Sequence, residues 1–152
     1  MSLHQDIREQ MKEAMKAKDT LQLNVLRGLL AAFTNEAVSK KRKPDEELSD
    51  EDALSVISKA VKQRKDSIEQ FAKGGRTDLV EAEKAEMTIL ETFLPTQMSR
   101  EEVVNYVKQK ISEAGSIDSS KKGQFIGMIM KELKTKADGA LVKEVVDTEL
   151  VS

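Results

Sequence analysis

Four residues near the C-terminus have types and spacing that could act on a phosphate chain. At about 100° per residue, helical geometry brings Gly123, Gly127, Lys131 and Lys134 together on the flank of one apolar helix face. A backbone without Cβ atoms can approach a phosphate chain closely, and ammonium groups beside it would neutralise the phosphate charge. The same pattern also suits a packed helix whose glycines serve close helix contact and whose lysines are solvated. The residues leave both interpretations open.

A second group of candidate residues consists of charges that fall on apolar helix faces. Arg64 lies on the apolar face of one predicted helix, and Glu83 and Glu86 lie on that of the next. A hairpin that turns at Gly74 and Gly75 would place Arg64 opposite Glu86. Charges on apolar faces are seldom tolerated unpaired, so we predict a structural ion cluster that fixes helix register. Acid–base catalysis or cation binding would need a third convergent group, which the sequence does not offer nearby.

Several classes of enzyme are excluded by residues that the sequence lacks. The absence of cysteine removes disulfides, thiolate nucleophiles and cysteine-type zinc sites. The one histidine, His4, falls in an N-terminal segment that we expect to be frayed, so neither a histidine triad nor a multi-histidine metal site is expected. The glycines match no nucleotide-binding fingerprint. We therefore predict no catalytic residues, no cofactor and no metal.

The charge of the chain bounds its possible partners. A formal net charge of −2 argues against general coating of nucleic acid, so we expect no DNA partner and require any RNA site to be a local patch. Between residues 119 and 143, six lysines face two acidic residues, Glu132 and Asp138. No stretch approaches the roughly 18 apolar residues that span a bilayer, and residues 1–19 lack a signal-peptide pattern. The expectations are a cytoplasmic location and no membrane partner.

The elements that must position these residues are amphipathic helices. Apolar residues recur at helical spacing along the chain, and no strand-like alternation or internal repeat occurs. We predict an all-α protein with an N-terminal helical hairpin module at residues 1–96 and a three-helix tail domain at residues 97–152. The boundary rests on Pro95, and on Ser99 with Glu102, which form a helix-starting capping box immediately after it.

The chain resembles the GatB/YqeY family over nearly its full length. The supporting residues are VKQRKDS at 61–67, GR at 75–76, DL at 78–79, Glu83, Glu86, LP at 94–95 and a glycine–lysine run that ends in ADG at 137–139. The last part is similar to the tail domain of the aminoacyl-tRNA amidotransferase B subunit. One departure is Thr135, where the tail pattern usually has glycine, and it leaves the tightness of that turn in question.

The resemblance implies a role next to tRNA. In the amidotransferase, the tail domain helps to hold tRNA while a larger catalytic body amidates the attached amino acid. The family label therefore implies carbon–nitrogen ligase activity with glutamine as amide donor, but this chain has the tail without the catalytic body. We hypothesise a non-catalytic tRNA-binding or amidotransferase-associated protein, or a component of such a ligase that acts only with partner subunits.

The RNA contacts are expected at the lysines and glycines of the tail. The tail would contact RNA phosphates through Lys121, Lys122, Gly123, Gly127, Lys131, Lys134 and Lys136. The expected partners are tRNA and an aminoacyl-tRNA amidotransferase or aminoacyl-tRNA synthetase. The rival hypothesis is a helical protein–protein adaptor, which the low aromatic content of 3% favours because few rings are available to stack on unpaired bases.

Overall fold

The computed structural model describes residues 1–150, and every regular element in that range is helical. The all-α prediction is confirmed. Seven α-helices occur in the described residues: α1 Leu3–Lys16, α2 Thr20–Ser39, α3 Asp50–Lys73, α4 Thr77–Glu91, α5 Arg100–Ala114, α6 Lys122–Glu132 and α7 Gly139–Glu149. A single 3-10 turn, Ser119–Lys121, leads into α6.

Contacts divide the chain into two compact units, which are residues 1–94 and the residues from 95 onward. In the first unit, α3 packs along α4 and α1 packs along α2. Its core is closed by large side chains that are almost inaccessible to water, namely Ile7, Leu26, Phe33, Leu48, Ile57 and Leu90. That each predicted domain folds on its own, at residues 1–96 and 97–152, stays a prediction.

The N-terminus of the first unit is ordered by hydrogen bonds. Ser2 and Gln5 form a capping box at the start of α1, and the Leu3 N–H donates to Asp50 Oδ1 at 2.9 Å. His4 is 4% exposed, its Nδ1 accepts from the Leu48 N–H at 2.9 Å, and its ring meets that of Phe33 edge-on. The expectation of a frayed segment around His4 is therefore wrong. The histidine docks α1 onto the loop before α3.

The core of the second unit is made almost entirely of branched aliphatic side chains. Val103 and Val107 of α5, Ile129 of α6, and Val142 and Val146 of α7 are all at most 1% exposed. α7 contacts both α5 and α6. Burial of aliphatic area is the main force that fixes α6 against α7, because each such side chain contributes about 1.5–3 kcal/mol when it leaves water.

The ends of these helices follow from their capping residues. Ser99 accepts from the Glu102 N–H, and the Glu102 carboxylate accepts in turn from the Ser99 N–H, so the predicted capping box is confirmed. At the start of α7, the Asp138 side chain accepts from the Ala140 N–H at 3.1 Å. Both caps satisfy amide groups that would otherwise lack an intrahelical partner.

Candidate functional site

The predicted phosphate-contact residues lie along α6 and the turn that follows it. Gly123, Gly127, Lys131 and Lys134 are exposed, as are Lys121 and Lys136 on either side of them. We call the first four residues the glycine–lysine face. Gly123, Gly127 and Lys131 are separated by four residues each, so they form one stripe on the outside of the helix.

The two glycines of this face are not needed for packing. No atom lies within 4 Å of the position that a Cβ would occupy at Gly123 or at Gly127. A glycine inside a helix costs about 1 kcal/mol relative to alanine. The close-packing interpretation of these glycines therefore has no contact to support it in the described residues. What the glycines do produce is about one turn of helix, from Gly123 to Gly127, with its backbone accessible from outside.

The lysines of the surface differ in whether they are already paired. Lys122 Nζ lies 2.8 Å from Asp147 Oδ1 on α7, so this ammonium group is engaged within the unit. Within residues 1–150, no carboxylate lies in ion-pair reach of Lys131, Lys134 or Lys136. Lys121, just before α6, is likewise exposed and has no ion pair within residues 1–150, so the charge available for an anionic ligand lies at both ends of α6, with three of these four lysines at or after its C-terminal end.

The turn after α6 is held in a strained conformation. Thr135 has a φ of 68°, in the left-handed region that disfavours branched side chains. Its carbonyl accepts from Gln97 Nε2 at 2.7 Å, and the Lys136 carbonyl accepts from the Met98 N–H at 2.8 Å. These two bonds tie the turn to the segment before α5. A glycine would adopt this backbone angle without the strain that a Cβ atom causes.

A group that the sequence analysis missed lies beside the glycine–lysine face. The Tyr106 hydroxyl on α5 donates to the Glu132 carboxylate, which follows Lys131 directly in α6. Lys110 Nζ is 3.6 Å from Glu132 Oε2 and 5.5 Å from the centre of the Tyr106 ring. The hydrogen bond to Glu132, with burial and the nearby negative charge, raises the pKa of Tyr106 to about 12. The phenol therefore stays protonated and a donor at neutral pH.

The only sequence signal for this group is weak. Tyr106 and Lys110 are four residues apart, which places them on one face of α5. Glu132 is 26 residues from the tyrosine along the chain, so nothing local in the sequence links the two. Their contact depends on how α5 and α6 pack in the second unit.

The charged residues on the apolar faces of α3 and α4 are brought together by the structure. Arg64 Nε lies 3.1 Å from Glu86 Oε2 and 3.4 Å from Glu83 Oε2. The three side chains are 24–31% exposed, and the buried Nε atom lacks a well-aligned hydrogen bond. One guanidinium engages both carboxylates and leaves the trio with a net charge of −1. Because each carboxylate is already paired, neither is placed as a free general base or as part of an open cation site.

The first unit has a groove between α2 and α3. Its volume is about 450 Å³, and it is lined by Ala32, Asn35, Glu36, Ser39, Ser55, Val56, Lys59, Ala60 and Gln63. Glu36 and Lys59 are the two charged residues in this lining. In the described part of the chain, no three side chains are grouped as metal ligands, and none of the helices is long and apolar enough to cross a membrane.

The described residues thus define an all-helical protein whose candidate site is a cationic surface with accessible backbone. The chain belongs to the YqeY family, because the family model described as "Yqey-like protein" matches residues 4–150. The match concerns the YqeY family alone and does not extend to the amidotransferase B subunit.

Curated relatives are fungal proteins named "Altered inheritance of mitochondria protein 41, mitochondrial". The chain is 39% identical to that of Kluyveromyces lactis over 70% of its own length and 57% of the relative. It is 39% identical to that of Lachancea thermotolerans over 59% of this chain and 46% of the relative. For Saccharomyces cerevisiae (strain YJM789) the identity is 32%, over 84% of this chain and 68% of the relative. The chain thus spans about half the length of the first two relatives.

The names of these relatives correct one expectation. They are called mitochondrial proteins, whereas the sequence analysis expected a cytoplasmic location. That expectation is wrong for the family members to which this chain is similar. It rested on the absence of a secretory signal pattern and of an apolar span in this chain, and neither feature distinguishes the cytoplasm from the mitochondrial interior.

Proposed function

We propose that this chain is a non-catalytic tRNA-binding protein whose second unit contacts RNA phosphates through the glycine–lysine face. The proposal includes association with a tRNA-amidating or aminoacyl-tRNA-forming enzyme, which would supply the chemistry that this chain lacks. Beyond membership of the YqeY family, the proposal draws on the resemblance that the sequence suggests between residues 125–146 and the tail domain of the amidotransferase B subunit.

One observation carries the proposal, namely the exposed backbone at Gly123 and Gly127 next to unpaired ammonium groups. The two glycines weaken α6 without filling any packing need. A phosphate chain is the partner for which both features are useful, since it requires positive charge and close access to the helix. Few aromatic side chains are present to read bases, so we expect contacts to the backbone of the RNA rather than to its sequence.

A protein–protein adaptor is the second candidate function, and a specific observation favours it. Met128 and Met130 on α6 are 42% and 40% exposed, and Leu21 and Val38 on α2 are 44% and 51% exposed. Flexible methionines at a surface suit apolar contact with varied partners. Met128 directly follows Gly127, so an adaptor surface and an RNA surface would overlap on α6.

The test is a salt titration of tRNA binding to the full chain. Lys131→Ala with Lys134→Ala should lower the slope of log affinity against log salt by about 2 if each lysine contacts one phosphate. The matched control is Lys62→Ala with Lys65→Ala, because these lysines have the same spacing, are exposed and lie on α3 of the first unit. The tRNA should come from mitochondria as well as from whole cells.

The outcomes separate the two candidate functions. A reduced slope for the Lys131 and Lys134 pair, with an unchanged slope for the Lys62 and Lys65 pair, supports the RNA surface. Equal reductions of the slope in both double variants would indicate general electrostatic attraction and would contradict a specific role of the glycine–lysine face. Unchanged tRNA binding in both, combined with loss of a co-purifying protein after Met128→Ser, would make the adaptor the better account.

A further inference from the structure

Two hydrogen-bond donors of α5 converge on a single carboxylate at the end of α6. The Tyr106 hydroxyl donates to Glu132, and the Lys110 ammonium lies 3.6 Å from the same side chain. Lys110 is 28% exposed and Glu132 is 33% exposed, so the pair stands at the border between the core and water. Glu132 is also the residue next to Lys131, which is unpaired. On the helix, Glu132 lies about 100° round from Lys131, so the arrangement stands at the same end of α6 as this lysine.

Resting on the proposed function, we infer that Tyr106 and Lys110 form a second phosphate-contact element of the same surface, which Glu132 occupies in the free protein. Hydroxyl and ammonium groups are among the donors that proteins use to contact RNA phosphates, and here both are close to the oxygens of one carboxylate. The Glu132 carboxylate holds the place of a phosphate group. It thereby limits tRNA affinity, both by engaging Lys110 and by repelling phosphates that approach Lys131.

A second carboxylate, that of Glu113, also lies near Lys110. Glu113, three residues beyond Lys110 on α5, lies 3.6 Å from the same ammonium group and is 56% exposed. Its charge helps to raise the pKa of Tyr106, but among residues 1–150 it accepts no hydrogen bond from that hydroxyl, and an exposed pair of this kind contributes little. Glu132 is the carboxylate that joins both donors and lies beside Lys131. Neutralising Glu132 should therefore raise tRNA affinity more than neutralising any other single acidic residue of the second unit.

The experiment is the same tRNA salt titration on the full chain with Glu132→Gln. The amide keeps the shape of the side chain and an oxygen that accepts from Tyr106, so the fold should be retained. We expect tighter binding and a slope that is steeper by about 1, since one more ammonium group becomes available to a phosphate. Adding Lys110→Ala to Glu132→Gln should return the slope to the wild-type value.

A charge-matched control excludes a general effect of net charge. Glu69→Gln also removes one negative charge and releases a lysine, Lys73, which lies 3.3 Å away on the exposed side of α3. We expect its slope to equal that of the wild type. Circular dichroism of each variant should show unchanged helix content. This control ensures that a loss of binding is not caused by unfolding.

Failure of this inference is distinguishable from failure of the proposed function. If the Lys131 and Lys134 variants lower the slope but Glu132→Gln behaves as Glu69→Gln does, the role of Glu132 is overturned and the RNA surface stands. If the wild type binds no tRNA but Glu132→Gln does, the masking role is supported. If neither binds, both the inference and the proposed function are overturned.

Discussion

The α3–α4 cluster of Arg64, Glu83 and Glu86 and the glycine–lysine face are both charged, but they differ in whether the charge is paired within the fold. Arg64 lies between Glu83 and Glu86, and its charge is neutralised within the first unit. Lys131 and Lys134 are exposed and lack a carboxylate in ion-pair reach among residues 1–150. A charge that is paired inside the fold acts on stability, whereas a charge left unpaired beside exposed backbone is available to a partner.

The largest effect that this comparison predicts is a loss of stability in Arg64→Ala. Removing the arginine leaves two glutamates facing each other without their cation, and complete burial would cost 3–5 kcal/mol. Because the side chains are 24–31% exposed, water screens part of this, and we expect about 2 kcal/mol by denaturant unfolding. tRNA binding should be unchanged.

The control for that variant is Arg76→Ala, at the turn between the same two helices. Arg76 is 60% exposed and is paired with Asp78 at 3.3 Å, so its loss should not measurably alter unfolding. Equal effects of the two substitutions would mean that the Arg64 cluster is an ordinary surface network, and the contrast between the two regions would disappear.

The next prediction separates stability from binding on α6. Gly127→Ala should stabilise the protein by about 1 kcal/mol, because alanine is the better helix former and its methyl group meets no atom within 4 Å. The same methyl group should weaken tRNA binding by holding the phosphate chain away from the helix. Thermal unfolding and the salt titration measure the two effects on one preparation.

A helical glycine in the first unit provides the comparison for Gly127. Gly28 on α2 is exposed, and its Cβ position is equally open. Gly28→Ala should give a similar stabilisation with no change in tRNA affinity. If Gly127→Ala binds as tightly as Gly28→Ala, the exposed backbone of α6 has no part in RNA contact.

A smaller effect is expected at the strained turn of the second unit. Thr135→Gly relieves a left-handed conformation that costs about 1–2 kcal/mol for other residues, but glycine loses more backbone entropy on folding. The net expectation is a gain of about 0.5 kcal/mol in the free energy of unfolding. Thr135→Ala retains a Cβ atom and should gain less, so a larger gain for alanine would contradict the role of the backbone angle.

The smallest expected effect is a pH dependence that arises in the first unit. Burial, followed by the charge of Arg8, lowers the pKa of His4 below 6.5, while Glu47 acts in the opposite direction. The folded chain therefore takes up this proton less readily than the unfolded chain. The contribution of His4 is present above pH 6.5 and is lost as pH falls through the lowered folded pKa.

A substitution that cannot titrate isolates this contribution. His4→Gln keeps an acceptor for the Leu48 N–H but removes the protonation step. Denaturant unfolding at several pH values between neutral and mildly acidic should show the wild type losing more stability than the variant. Parallel curves would show that His4 does not carry the dependence.

Local patterns in the sequence were sufficient to predict the helices and several of their ends. The 3.6-residue spacing of aliphatic side chains, with no alternation of period two, determines an all-α chain. Ser99 with Glu102 and Asp138 determine where α5 and α7 begin, because capping depends on residues only two or three positions away. The same local rules placed Gly123, Gly127 and Lys131 on one side of α6, whereas Lys134 lies beyond the end of this helix, in the turn that follows.

The hairpin turn in the sequence was enough to place Arg64 opposite Glu86, but other contacts between residues distant in sequence required the tertiary structure. His4 is buried because Leu48, 44 residues away, donates to it, whereas its position near the N-terminus suggested fraying. The Tyr106–Glu132 contact and the engagement of Lys122 by Asp147 likewise join separate helices. Periodicity determines which face of a helix is buried, but the side chains opposite it depend on the docking of helices, which short-range spacing does not encode.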